Sequence, residues 1–132
     1  MTTIHIDGAS LGNPGKIGIG YVISRAGTQE KRASVFLGEQ TNNFAEYMAL
    51  IFALTDALRW KDEECRIFSD SQLLCEQIKG NYKVRNKNIY PLYVLAMHLL
   101  SQFTQPVSLT HVRREKNTIA DRLAKEGAAH RG

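Results

Sequence analysis

Residues 18–58, GIGYVISRAGTQEKRASVFLGEQTNNFAEYMALIFALTDAL, decide the fold, because the hydrophobic pattern changes its period within them. The first part holds two β-rich runs, residues 18–24 and 33–38, on either side of a turn-like segment. From Phe44 onward, apolar side chains recur every three or four residues, which predicts an amphipathic helix. Asn43 is a good N-cap for this helix, and Glu46 would then occupy the third position of a capping box.

The flanking segments extend this pattern in both directions. Residues 3–6 alternate like a strand, and the short links between the first three runs favour an antiparallel meander. Later segments predict a strand ending at Asp70, a short helix stopped by Gly80, a further helix, a fifth strand and a last helix. The order β-β-β-α-β-α-α-β-α predicts an α/β fold with a five-stranded mixed sheet and helices on both faces. Residues 1–132 are expected to form a single domain.

Composition narrows the class of protein. The apolar share of 43% is ordinary for a globular chain, and no apolar run approaches the eighteen or so residues needed to cross a bilayer. No signal-like segment precedes the first strand, so we expect an intracellular, cytoplasmic protein, and nothing indicates more than a monomer. Cys65 and Cys75 form no disulfide framework and are expected to be buried and reduced.

Positive charge is concentrated in two places. The chain has 17 basic and 13 acidic residues, a net charge of +4. Residues 79–88 are basic and contain one aromatic residue and no acid, and Arg113, Arg114 and Lys116 form a second cluster. Either cluster alone could be a solvated loop, but together they favour an anionic partner such as a nucleic acid.

Four carboxylates occupy the ends of predicted elements. Asp7 and Asp70 each finish an apolar strand, Glu46 lies in the first turn of the first helix, and Asp121 lies early in the last helix. If the first and fourth strands are neighbours, Asp7 and Asp70 point into one cleft. Such a cluster would raise the pKa of its members, and hard divalent cations would remove that penalty. Two cations about 4 Å apart would support phosphodiester hydrolysis.

Each carboxylate also has a purely local explanation. Asp7 could begin a turn, and Asp70 could mark a helix N-terminus. Glu46 could be only the capping-box partner of Asn43, and Asp121 could form a surface ion pair. The joint placement of the four residues favours the metal site.

Four segments resemble the motifs of the type 1 ribonuclease H family, in the family's order and over nearly the whole chain. They are DGASLGNPG at 7–15, TNNFAE at 41–46, SDSQ at 69–72, and HVRREKN at 111–117 with ADRLA at 120–124. The resemblance implies a ribonuclease H-like fold. It also implies that Asp7, Glu46, Asp70 and Asp121 are catalytic and bind two Mg²⁺ ions, with Mn²⁺ as an alternative. The implied activity is hydrolysis of the RNA strand of RNA–DNA hybrids, without sequence specificity, giving 5′-phosphate and 3′-hydroxyl ends.

The resemblance also implies substrate contacts. The amides of Asn13, Asn42, Asn43 and Gln72 can both donate to and accept from a ribose 2′-hydroxyl, the group that distinguishes RNA from DNA. Thr41 is a candidate for holding a phosphate of the DNA strand. Turn and cap chemistry is the alternative explanation for Asn13 and Asn43.

The chain departs from the family pattern in two places. Residues 80–88 replace a basic helix and loop that contains tryptophan in many members, so this is a compact form without the basic protrusion. Its affinity for the hybrid is expected to be weaker and more salt-sensitive. The better-known members of the family also carry a histidine that assists product or proton release, in a flexible loop before the last carboxylate, whereas residues 113–116 of this chain contain no histidine. His111 is therefore the possible auxiliary histidine, although its place in a strand also fits a structural role, and His130 is a further candidate.

Three functions remain open from the sequence. The first is a hybrid-specific endonuclease, the second a binding protein of the same fold with weak or no catalysis, and the third a related metal nuclease acting on another duplex. The four intact carboxylates favour the first.

Overall fold

The computed structural model describes residues 1–130. Five strands form one sheet: β1 (Thr2–Gly12), β2 (Gly15–Arg25), β3 (Lys31–Gln40), β4 (Cys65–Ser69) and β5 (Val107–His111). The helices are α1 (Asn42–Ala57), α2 (Gln72–Ile78), α3 (Tyr90–Ser101) and α4 (Thr118–Ala129), with 3₁₀ turns at Leu58–Trp60 and Arg114–Lys116. The strand order is β3-β2-β1-β4-β5. The predicted element order and the mixed α/β sheet are confirmed.

The sheet joins an antiparallel half to a parallel half at β1. β1 pairs antiparallel with β2 along its whole length, and it pairs in parallel with β4 only as far as Ile6 opposite Ser69. The prediction that β1 ends at Asp7 is wrong, because pairing with β2 carries the strand on to Gly12. The local explanation of Asp7 as the start of a turn is wrong for the same reason. Asp7 instead lies where β1 loses one of its two neighbours, which opens space beside the carboxylate.

Helices cover both faces of the sheet, as predicted. A Cβ atom added to Gly8 would lie 2.4 Å from the carbonyl carbon of Ala45 in α1. A Cβ atom on Gly20 would lie 2.6 Å from the carbonyl oxygen of Ala120 in α4. Gly20 pairs with Asp7, the neighbour of Gly8, and successive strand residues point to opposite faces. α1 and α4 therefore pack on opposite faces, each in backbone contact with a glycine.

The main hydrophobic core lies between α1 and the sheet. α1 buries Leu50 and Leu54 completely, and these side chains pack in one cluster with Ile4, Ile6 and Ile67 from β1 and β4. The centre of the sheet is thus rigidly held against α1. The strand ends that follow this core carry the polar residues described below.

The start of α1 differs from the prediction. The N-cap is Thr41, whose hydroxyl accepts a hydrogen bond from the Phe44 amide at 3.3 Å. The prediction of Asn43 as the N-cap is wrong, because the helix begins two residues earlier than its hydrophobic stripe suggests. Glu46 therefore lies beyond the third helical position and is no capping-box partner. Its carboxylate instead accepts a hydrogen bond from the backbone amide of Gly8 in β1, at 2.5 Å.

Both cysteines are buried and free, as predicted. Burial raises the pKa of the Cys65 and Cys75 thiols to about 11, so both stay protonated and unreactive at neutral pH. Within residues 1–130, no helix has the length and apolar character needed to span a membrane.

Candidate active site

A polar cleft of about 580 Å³ opens at the end of β4, between β1 and the first turn of α1. Asp7, Glu46 and Asp70 meet there, and one oxygen from each lies within 4.8 Å of the other two. Asp121 lines the same cleft. The structure therefore brings together all four carboxylates singled out in the sequence.

Asp7, Glu46 and Asp70 form a close group of carboxylates, and each comes from a different part of the chain. Asp7 comes from the interior of β1 and is only 4% exposed. Asp70 directly follows β4, and the next residue, Ser71, caps α2 by accepting a hydrogen bond from the Leu74 amide at 3.2 Å. Because Ser71 caps α2, the Asp70 carboxylate is not needed as the cap. Glu46 projects from α1 and is held by the Gly8 amide.

Asp121 reaches the cleft from the first turn of α4. Lys125 lies one turn later, with its Nζ 3.1 Å from an Asp121 carboxylate oxygen, so the surface ion pair expected as an alternative does form. The same carboxyl group is also one of the neighbours that raise the pKa of Asp7. Asp121 thus lines the cleft with the other carboxylates and also forms an ion pair at the protein surface.

The cluster is electrostatically costly without a cation. Burial is the largest cause that raises the pKa of Asp7, to about 10, and the nearby carboxylates of Glu46 and Asp70 raise it further. Burial, followed by Asp70, raises the pKa of Glu46 to about 8, although the Gly8 amide and Arg114 act in the opposite direction. The metal-free cluster therefore retains protons at neutral pH.

The donor set fits a hard divalent cation. Asp70 Oδ2 is buried and accepts no hydrogen bond from any residue between 1 and 130. A buried carboxylate oxygen without a donor is costly unless a cation binds it. The grouped ligands are carboxylates, which suit Mg²⁺ or Mn²⁺, whereas zinc favours nitrogen and sulfur ligands.

Four of the five predicted substrate-contact residues line the cleft: Asn13, Thr41, Asn42 and Asn43. Asn13 Oδ1 accepts a hydrogen bond from the backbone amide of Asn42 at 3.1 Å, and Thr41 caps α1. Asn13 and Thr41 therefore also stabilise the fold. Asn43 Oδ1 is buried without a hydrogen-bond donor in the part of the chain described. The side chain of Asn42 is exposed, so it is more accessible to a ligand than this Asn43 oxygen.

The remaining predicted residues lie around the cleft. Gln72 is exposed at the first position of α2, between the lining residues Ser71 and Leu73. His111 ends β5 opposite Ser69, and its side chain is exposed. His130 is the exposed residue that follows α4. The roles of Gln72, His111 and His130 stay predictions.

Asn86, Arg114 and Lys125 also line the cleft, although none of them was assigned to the site from the sequence. Asn86 belongs to the acid-free basic stretch at residues 79–88, and Arg114 to the second basic cluster. Those two clusters were the available signal, since a basic segment next to a carboxylate site suits a phosphate-bearing ligand. Which of their side chains enter the cleft is visible only in the structure.

Comparison with known proteins finds close relatives. Residues 5–127 match the family model described as Reverse transcriptase-like. A bifunctional protein of Mycobacterium tuberculosis is 41% identical over 125 residues, which cover 93% of this chain and 34% of that protein. The chain thus spans about a third of the length of the first curated relatives that it matches. The ribonuclease H of Neorickettsia sennetsu is 41% identical over 142 residues, covering 96% of this chain and 91% of that protein.

Two solved structures are similar over nearly the whole chain. The N-terminal RNase H domain of the Mycobacterium tuberculosis protein has a TM-score of 0.89 at 39% identity, covering 96% of this chain and 98% of that one. LC11-RNase H1, solved in complex with an RNA/DNA hybrid, has a TM-score of 0.89 at 34% identity, covering 97% and 96%. The strand order and the helices on both faces are thus those of an established fold.

Proposed function

The chain belongs to the type 1 ribonuclease H family, and we propose that it is a metal-dependent endonuclease that hydrolyses the RNA strand of RNA–DNA hybrids. The observation that carries the proposal is the group formed by Asp7, Glu46 and Asp70, whose oxygens lie within 4.8 Å of one another inside a polar cleft. The hybrid bound in the LC11-RNase H1 structure supports the choice of substrate.

We further propose that Asp7, Glu46, Asp70 and Asp121 hold two Mg²⁺ ions, with Mn²⁺ as an alternative. Ions held by these carboxylates would activate a water and stabilise the leaving 3′ oxygen, and hydrolysis would then give 5′-phosphate and 3′-hydroxyl ends. The partial burial of the cluster lowers the local dielectric constant and so strengthens its electrostatic attraction for cations.

The other cleft residues orient the carboxylates and the substrate. The Gly8 amide donates to Glu46 and so fixes the direction of that carboxylate. Arg114 is the cation that opposes the raised pKa of Glu46, and its charge would also attract a substrate phosphate. Asn43 lines the cleft, and its side-chain amide has the donor and acceptor groups that recognise a ribose 2′-hydroxyl. We assign Asn13, Thr41, Asn42 and Gln72 supporting contacts with the hybrid.

Residues 79–88 are proposed to contact substrate phosphates. Lys83, Arg85 and Lys87 are exposed there, and Asn86 of the same segment lines the cleft. Replacing the three basic residues with Gln should weaken binding of the hybrid. The slope of log affinity against log salt concentration should become shallower by about 2 to 3. Each phosphate contact formed on binding releases about one counterion, and the variant forms up to three fewer contacts. Fluorescence anisotropy at several salt concentrations measures this slope.

A matched control removes the same charge at the other end of the sheet. Arg32, Lys61 and Arg66 are exposed and lie away from the cleft. Their joint replacement with Gln should leave the slope within about 0.5 of the wild-type value, since only direct phosphate contacts change it substantially. Equal slopes for the two triple variants would contradict a role for residues 79–88.

One cleavage experiment tests the proposed activity. The protein is incubated with Mg²⁺ or Mn²⁺ and labelled RNA–DNA hybrid, duplex DNA or duplex RNA. We expect only the RNA strand of the hybrid to be cut. Asp70→Asn should abolish cutting, because it removes a buried ligand, whereas Asp62→Asn, at an exposed site that hydrogen-bonds Thr104, should not.

Two other outcomes would reject the proposal. Binding of the hybrid without cleavage would identify a binding protein of the same fold. Cutting of duplex DNA or duplex RNA in place of the hybrid would identify a related metal nuclease. The single domain over residues 1–132, the monomeric state and the cytoplasmic location stay predictions.

A further inference from the structure

The start of α4 is tied to β1 by one buried side chain. Asn117, which precedes α4, is 2% exposed, and its Nδ2 donates a hydrogen bond to the carbonyl oxygen of Ile6 at 2.8 Å. Ile6 is the residue immediately before Asp7. The Asn117 carbonyl oxygen in turn accepts from the Asp121 amide at 3.0 Å. Two hydrogen bonds therefore join the backbone of Asp121 to the strand residue next to Asp7.

Asn117 occupies the N-cap position without acting as a cap. An N-cap asparagine normally accepts a hydrogen bond from an amide in the first helical turn. The Asn117 side chain makes no such bond, and its Oδ1 is buried without a donor among residues 1–130. A buried oxygen without a partner costs free energy. The amide is thus oriented by the β1 carbonyl at the expense of a better helix cap.

The need for a donor explains why this position suits asparagine. Aspartate has nearly the same shape, but its carboxylate cannot donate to Ile6 and would add negative charge beside the cluster. Serine is a preferred N-cap, yet its hydroxyl is attached directly to Cβ and does not extend as far as the Asn117 amide nitrogen. Of these three residues, asparagine alone can donate to the β1 carbonyl without adding charge.

We propose that Asn117 is a positioning residue that sets the location of Asp121 relative to Asp7, and thereby the affinity of the carboxylate cluster for divalent cations. The inference rests on the proposed metal-binding role of the cluster. Asp121 is the carboxylate that depends most on such an anchor. The other three carboxylates already lie close together, whereas Asp121 is carried by α4, which packs on the face of the sheet opposite α1. Partners of this kind, which orient a metal ligand, typically change metal affinity or activity by about 10- to 100-fold.

The test is a double-mutant cycle read out by Mn²⁺ binding in a calorimeter. Asn117→Ser should weaken Mn²⁺ binding about tenfold or more in the wild-type background. In an Asp121→Asn background, the same substitution should change Mn²⁺ affinity less than about twofold, because the residue it positions has lost its charge. Thr118→Ala, at the adjacent exposed residue, should leave Mn²⁺ affinity unchanged.

Two results would overturn the inference: an equal loss of affinity in both backgrounds, or no loss in either. Thermal unfolding confirms that each variant is folded, and Asn117→Thr, which fills more volume, replaces Asn117→Ser if the serine variant is unfolded. Calorimetry measures metal binding and needs no cleavage, so the two proposals can fail separately. If Asn117 and Asp121 are coupled but the protein cuts no hybrid, the positioning role stands and the proposed activity is rejected. If the protein cuts the hybrid but the two residues are not coupled, the proposed activity stands and the positioning role is rejected.

Discussion

Asp7→Asn should abolish cleavage of the hybrid and, at the same time, raise the melting temperature of the metal-free protein. Activity should fall by about a thousandfold or more, because a central ligand loses its charge and several kcal/mol of transition-state stabilisation are lost with it. Stability should rise by about 3 kcal/mol at neutral pH, or about 10 °C, because an uncharged amide removes the cost of a buried acid next to Glu46 and Asp70.

The gain in stability should depend on pH in a defined direction. The pKa of Asp7 is raised from its ordinary value of 3.8 to about 10 in the folded protein. Between these values the unfolded chain has released a proton that the folded protein retains, so the wild-type protein loses stability as pH rises. The difference in melting temperature between Asp7→Asn and the wild type should therefore be small near pH 4 and large near pH 8. Added Mg²⁺ should stabilise only the wild type strongly.

Asp56→Asn is a control with the opposite expectation. Burial raises the pKa of Asp56, but hydrogen bonds from Lys31 and Tyr21 outweigh that effect and lower the pKa overall. Removing this charge should lower the melting temperature at neutral pH. Calorimetric unfolding of both variants in EDTA measures the contrast. A lower melting temperature for Asp7→Asn at pH 8 would mean that the four carboxylates do not strain the metal-free fold.

Gly8→Ala should destabilise the protein by about 3 kcal/mol or more and remove activity. The added Cβ would lie 2.4 Å from the carbonyl carbon of Ala45 and 2.6 Å from the Glu46 amide nitrogen. Both are backbone atoms of α1, so the helix must move away from the sheet, and the bond from Gly8 to the Glu46 carboxylate must lengthen. Denaturant unfolding measures the loss of stability, the hybrid cleavage assay measures the loss of activity, and Mn²⁺ titration shows whether metal binding is lost with it.

Gly38→Ala separates the steric effect from the conformational one. Gly38 has a φ of +83°, and a Cβ there would meet nothing within 4 Å. Its replacement should cost about 1 to 2 kcal/mol for the left-handed backbone and should leave metal binding unchanged. If Gly8→Ala were no more destabilising than Gly38→Ala, the close approach of α1 to β1 would not be what holds Glu46 in place.

Local signals in the sequence predicted most elements correctly. The change of hydrophobic period located α1, the apolar run at β4 ended before Asp70, and Gly80, with its φ of +84°, follows the end of α2. These features depend on neighbouring residues and on backbone propensity, which a sequence displays directly. The two errors, at Asp7 and at Asn43, arose where a distant partner decides the outcome. β2 prolongs β1 beyond Asp7, and Asn13 binds the amide of Asn42 at the start of α1.

The fold class and the four acidic motifs can be recognised without the structure, because hydrophobic period and residue type are local properties of the chain. That the four carboxylates share a cleft with Arg114 and Asn86 becomes visible only in the folded chain. That arrangement depends on the parallel pairing of β1 with β4 and on the backbone contacts of Gly8 with α1 and of Gly20 with α4. Distances between side chains far apart in the chain follow from strand order and helix docking, which no local pattern encodes.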